Sequence, residues 1–234
     1  SILAGGRSVH APFLMPGGFA RVPEKADMEK SLEELKAIRP AVLRTIELFA
    51  HCPFSLVRET NYIGLKSDPF SYLEGELWDM NGKVCDESGY RSHLEHVVIP
   101  YSEASGYTFD GQVYRVGALA RVNLNKEAFH PNTKRDAAEA LKRFPSHDVH
   151  DNGLAQAIAI LHSVDESIDI LSSATFVKEP LQPVVPRAIV GVGVVEAPRG
   201  TLYHKYETDD KGIVTHGEVI VPTGQNQITI EQDL

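Results

Sequence analysis

The chain has 234 residues, 42% of them hydrophobic, 24% charged and 8% aromatic, which is ordinary for a globular protein able to bury one sizeable core. A formal net charge of −9 with no compensating basic block argues against a nucleic-acid backbone as the main partner. No apolar stretch reaches the roughly 18 residues of a membrane-crossing helix, and no secretory pattern precedes the first glycines. Two cysteines, Cys52 and Cys85, lie outside any CxxC pair, so they suit a reducing compartment and cannot alone build a thiolate metal site.

Residues 1–22 are glycine-rich and read as irregular turns. Residues 24–50 then predict an amphipathic helix: Met28, Leu32, Leu35, Ile38, Val42, Ile46 and Phe49 recur at spacings of three and four, and Pro40 is expected to kink or split it. From 51 to 130, short alternating runs and the turn signals Asn81-Gly82 and Asp110-Gly111 predict a small antiparallel β region. Two more helices are expected over 132–144 and 150–173, and the proline-rich segment 174–187 reads as a connector. His93, Glu95 and His96 form one group of metal-ligand type, and His147, Asp148, His150 and Asp151 form another. Both lack a distant third motif, and the second sits where a helix entry needs caps, so surface or capping roles are expected.

The stretch that organises the chain follows. Ala188 to Val195 is a Val- and Ile-rich run that reads as a buried strand and ends abruptly in Pro198-Arg199-Gly200. Proline fixes φ and glycine admits unusual backbone angles, so Arg199 is held on a rigid corner. A guanidinium stays protonated and presents five donors in a planar fork, which suits an anionic ligand or transition state. Beyond it, Leu202, His204 and Tyr206 alternate into a turn at Asp209–Gly212, and Ile213–Val221 completes a β-hairpin. The run from Gly191 to Glu196 lacks the third glycine and the following helix of a dinucleotide fingerprint, which excludes that reading. The fold class expected is α+β, a helical bundle around a small antiparallel β region with a C-terminal hairpin.

Four runs, in order, resemble landmarks of nickel–iron hydrogenase large subunits. They are Gly5-Gly6-Arg7-Ser8-Val9-His10 with Pro16-Gly17-Gly18; Val116 to Asn123; Glu196-Ala197-Pro198-Arg199-Gly200-Thr201-Leu202 with His204; and Val221-Pro222-Thr223-Gly224-Gln225-Asn226. Ala11 and Ala118 stand where the family usually has proline. The pattern is most similar to the cytoplasmic group coupled to soluble cofactors, which implies oxidation of hydrogen or reduction of protons. It also implies a nickel–iron centre with cyanide and carbon monoxide ligands. The implied partners are an iron–sulfur small subunit, with further electron-transfer subunits beyond it.

Carried over by position, the resemblance makes Arg199 the catalytic cation above the dinuclear centre and Ala197 and Pro198 part of the diatomic-ligand pocket. His204 and Asn226 flank the centre, and Arg7 and His10 lie near the contact with the small subunit. The family binds its metals through a CxxC pair near each end of the large subunit. Neither pair is present, so residues 1–234 are expected to be the central portion of a longer subunit that itself ligates no metal. The other reading is a metal-free relative, like the cysteine-free scaffold at the quinone site of respiratory complex I. The intact Glu-Ala-Pro-Arg-Gly run argues against it, because the scaffold relatives alter that motif.

Overall fold

The structure, a computed structural model, describes residues 14–15, 17–19, 22–103 and 105–234. The helices are α1 (Lys25–Ala50), α2 (Ala118–Asn125), α3 (Pro131–Asp136), α4 (Ala138–Leu141), α5 (Asp151–Ser173), α6 (Pro222–Gln225) and α7 (Gln227–Asp233). The strands are β1 (Leu14–Met15), β2 (Gly18–Phe19), β3 (Asn61–Tyr62), β4 (Gly64–Lys66), β5 (Glu76–Asp79), β6 (Gly82–Cys85), β7 (Leu94–Val98), β8 (Ser105–Phe109), β9 (Tyr114–Arg115), β10 (Ile189–Ala197), β11 (Gly200–Thr208) and β12 (Val214–Ile220). The α+β class holds.

The helical half is built on α5, whose Leu154, Ile158 and Leu161 stripe packs against α1 and α2. The predicted α1 periodicity forms a helix, but of its stripe only Val42 and Ile46 are buried, while Ile38 is 53% exposed. Helix α1 runs mainly along α5, so only a narrow face is covered. Pro40 does not split it: both Pro40 and Lys36 are exposed, and the carbonyl that proline leaves unpaired faces water. Arg39 fastens α1 from the side, donating from Nε to Asp165 at 2.6 Å and from Nη2 to Asp136 at 2.7 Å. Arg135 and then Arg39 hold the Asp136 carboxyl down to about 2.

The single helix expected over 132–144 is two. Ala137 leaves helical geometry with φ −105° and ψ 16°, while Pro131 and the His130 side chain, which accepts the Asn132 N–H, start α3. The 51–130 region also differs from an all-antiparallel reading. Strands β4–β5–β6 and β7–β8 are antiparallel, but β3 and β9 pair in parallel. The run from Ala118 is helix α2, because Gly117 at φ +121° turns the chain out of the extended state.

Strands β10, β11 and β12 form an antiparallel meander, and its first hairpin pairs Ala197 with Gly200. The expectation of a wholly buried β10 is corrected. Val194 and Glu196 are buried near the turn, whereas Ile189 and Val190 are 46% and 56% exposed. The turn end of the meander packs onto a second core with Ile63, Leu65, Leu77, Tyr90 and Tyr203, and burial falls off toward the far end. Residues 227–233 form helix α7, which follows the Pro222-initiated turn of α6.

Both histidine groups take local roles. His93 stacks on Phe109 with Nδ1 2.9 Å from Asp110, and Asp148 accepts the backbone N–H groups of Leu56 and His150 at the entry to α5.

His162 on α5 is the buried titratable group with the clearest consequence. Its ring stacks on Phe129, its Nδ1 accepts the His130 N–H, and Nε2 has no hydrogen-bond partner. Burial, aided by His130, pushes its pKa down to about 4. The unfolded chain therefore binds a proton near pH 6.5 that the folded chain refuses. Stability is expected to be full above about pH 6.5, to fall through the window down to about pH 4, and to change by on the order of 3 kcal/mol. Denaturant titrations across that window should show the fall. His162→Asn, whose amide oxygen can replace Nδ1, should flatten it.

Candidate active-site cavity

The β10–β11 turn consists of two residues, Pro198 and Arg199, which lie against the start of α2. Two glycines make that crossing possible. Gly200 has φ +129°, and a Cβ there would stand 2.7 Å from the Gly117 nitrogen and 2.6 Å from Val116 Cγ2. A Cβ on Gly117 would meet the Arg199 carbonyl at 3.1 Å. Asn226 fixes the other side of this crossing, accepting the Val116 N–H at 2.9 Å and donating to its carbonyl at 3.0 Å.

Between the turn, α2 and α5 lies an open cavity of about 670 Å³, lined by Arg199, Pro198, Glu196, Arg121, Tyr72 and Ser163, with apolar wall from Ala118, Ala159 and Ile160. Beneath it is a buried ion pair. Arg121 Nη2 and Nε reach Glu196 Oε2 at 2.8 and 3.2 Å, and the two side chains are 3% and 1% exposed. Glu196 Oε1 accepts the Leu65 N–H at 3.0 Å and the Thr201 hydroxyl at 2.8 Å. The carboxylate thus takes four hydrogen bonds, close to the capacity of its two oxygens. Arg121 Nη2 also donates to the Ala197 carbonyl at 2.8 Å, and its guanidinium lies over the Tyr72 ring at 5.1 Å. The Tyr72 hydroxyl donates to the Ala159 carbonyl and accepts from Ser163, and burial pushes its phenol above the ordinary value.

Arg199 contrasts with Arg121. It is exposed on the rim and makes no hydrogen bond or ion pair with any described residue. The cavity therefore combines a hydrogen-bonded ion pair below with a guanidinium above that is unpaired among the described residues, an arrangement suited to holding an anionic or polarised group.

Of the residues the sequence singled out, Arg199 and Pro198 line the cavity, and Ala197 adjoins it through its bonded carbonyl. Asn226 sits behind the turn, on Val116. His204 lies four residues along β11 from Gly200, its Nδ1 3.2 Å from the Tyr206 hydroxyl, and is not part of the lining. Arg7 and His10 lie outside the described residues. Sequence reasoning missed Arg121, Glu196, Tyr72 and Ser163 as members of the site. The one available signal was an opposite pair of charges, Arg121 and Glu196, each set in an apolar run; nothing local marks Tyr72 or Ser163.

A nickel–iron centre needs thiolates, and the described residues do not provide them. Neither Cys52 nor Cys85 lines the cavity, and burial pushes the Cys85 thiol up, away from thiolate. Among the described residues no group of three or more His, Cys, Asp or Glu could hold a metal.

No family model matches the chain. It is similar to the alpha subunit of sulfhydrogenase 1 from Pyrococcus furiosus, 28% identical over 98% of this chain, and to the vhu F420-non-reducing hydrogenase of Methanococcus voltae, 30% identical over 97%. Over 68% of its length it is 34% identical to the beta subunit of the NAD-reducing hydrogenase HoxS from Cupriavidus necator. The chain is a homologue of hydrogenase large subunits. It spans 55%, 60% and 36% of those three relatives' own lengths. Its fold matches 55% of a chain of an NAD+-reducing NiFe hydrogenase in the H2-reduced state, with a TM-score of 0.81 over 95% of this chain at 24% identity. A Ni-Fe-Se hydrogenase from D. vulgaris Hildenborough shares the fold at a TM-score of 0.62 and 16% identity.

Within this hydrogenase fold the turn should tolerate little change. Gly200→Ala forces a side chain into a positive φ and against the Gly117 backbone. It should cost about 1–3 kcal/mol, read as a lowered unfolding midpoint. Glu196→Ala leaves Arg121 buried and unpaired and should cost more, about 3–5 kcal/mol by the same measurement.

Proposed function

We propose that residues 1–234 form the central portion of the catalytic large subunit of a nickel–iron hydrogenase, which oxidises hydrogen or reduces protons and passes electrons to an iron–sulfur small subunit. The observation that carries this reading is the uncommitted Arg199 guanidinium, held by a two-residue turn on the rim of a cavity whose floor is the buried Arg121–Glu196 pair. The similarity to hydrogenase subunits over nearly the whole chain supports it.

The nickel–iron centre, with its cyanide and carbon monoxide ligands, is assigned to parts of the large subunit that this chain does not match, since the described residues offer no ligand set. The role of this segment is to wall the site. Arg199 offers a planar fork of donors to anionic groups in the cavity. Pro198 and Ala197 form the apolar corner beside it. Asn226 holds the backbone against which the turn rests. His204 is assigned to the flank of the site along the sheet, and Arg7 and His10 to the contact with the small subunit. Further electron-transfer subunits and a cytoplasmic location complete the reading. Among the described residues no helix is long and apolar enough to cross a membrane. The hydrogenase names of the relatives favour this reading over a metal-free scaffold.

The test is Arg199→Lys in the intact enzyme. Lysine keeps the charge and loses the fork. Hydrogen oxidation per bound nickel should fall about 10²–10³-fold, the size of effect seen when one preorganised donor is lost, while nickel content stays unchanged. Undiminished turnover at full nickel content would remove Arg199 from the mechanism.

A further inference from the structure

We infer that Arg121 is a positioning residue: it sets where Arg199 stands by gripping the backbone on the near side of the Pro198-Arg199 turn. The inference rests on the role proposed for Arg199 and adds a second arginine with a different task. Arg121 lines the cavity, yet it is 3% exposed and its Nε and Nη2 donors are taken by Glu196 and by the Ala197 carbonyl. Three hydrogen bonds from Nε and Nη2 make this guanidinium a clamp.

The clamp acts close to its target. The Ala197 carbonyl belongs to the peptide bond that enters Pro198, whose φ the ring fixes. From there only the ψ of Pro198 and the φ of Arg199 remain free before the Arg199 side chain. The far side of the turn is held too. Gly200 is wedged against Val116 and Gly117, and the Thr201 hydroxyl donates to the same Glu196 carboxylate that Arg121 grips. Arg199 itself has no partner among the described residues, so the position from which its side chain projects is set by these two anchors. The fork fixes the grip: Nη2 bridges the carboxylate and the carbonyl while Nε holds the carboxylate a second time, and a single ammonium group lacks that second nitrogen.

The experiment compares Arg121→Lys, Arg199→Lys and the double variant in the complete, nickel-loaded enzyme. Amide hydrogen exchange reads the turn directly. In Arg121→Lys, exchange at Gly200, which pairs with Ala197, should quicken at least tenfold, while that of Tyr203–Tyr206 stays as in the parent. Turnover per bound nickel should fall at least tenfold with KM for hydrogen unchanged, and the double variant should be no slower than Arg199→Lys alone, since both lesions remove one function. Unaltered exchange at the turn, or a double variant slowed by the product of the two single effects, would overturn the inference. Full activity in Arg199→Lys beside a loosened turn in Arg121→Lys would sink the role proposed for Arg199 and uphold the grip. Should Arg121→Lys fail to fold or to load nickel, Thr201→Val takes its place. It is isosteric and removes one donor from Glu196, and it should quicken the same Gly200 amide several-fold; no change there would overturn the inference.

Discussion

The structure turns on one buried ion pair. Removing two charges from water is costly, and a pair such as Arg121–Glu196 is tolerated only when the remaining donors and acceptors are also met. Here the carboxylate oxygens and the Nε and Nη2 donors have partners from different parts of the chain: Leu65 on β4, Thr201 on β11 and the Ala197 carbonyl at the end of β10. The pair contributes little net stability of its own compared with a well-packed apolar pair. Its value is definition, because each unmade bond would leave a buried polar group without a partner.

Two apolar cores flank this polar seam. The helical core under α5 and the β core around Tyr90 and Tyr203 leave the cavity between α2, α5 and the β10–β11 turn. Asn125, one turn beyond Arg121, donates to the Leu65 carbonyl, so α2 is bonded to β4 as well as packed on α5. A rigid frame on both sides fixes the backbone from which a single exposed guanidinium projects.

Much of this was legible in the sequence, and the failures have identifiable causes. The α5 stripe was readable because that helix is packed over most of its length, and the Pro-Arg-Gly corner because proline and glycine constrain the backbone wherever they occur. The Val- and Ile-rich β10 misled: apolar composition reports what a strand can bury, and here Ile189 and Val190 lie beyond the core that covers Val194. Helix α2 was hidden because Gly117 changes the chain direction within one residue, directly after the short strand that ends at Arg115. Arg121, Tyr72 and Ser163 could not be placed at the site at all, since their meeting with Glu196 and Pro198 depends on contacts between distant parts of the chain. The family landmarks carried the functional reading because they mark the positions where such distant segments meet.

That separation has a consequence for how the protein is made. Arg121 and Glu196 are 75 positions apart, and Leu65 and Glu196 are 131 apart. Contacts of such range must close long loops before they yield any reward, so they form late relative to local helices such as α1 and α5. Arg199 therefore reaches its place only after β4, α2 and the meander have found one another. A half-folded chain would carry both arginines without presenting the cavity, so possession of the cavity reports that these distant segments have come together.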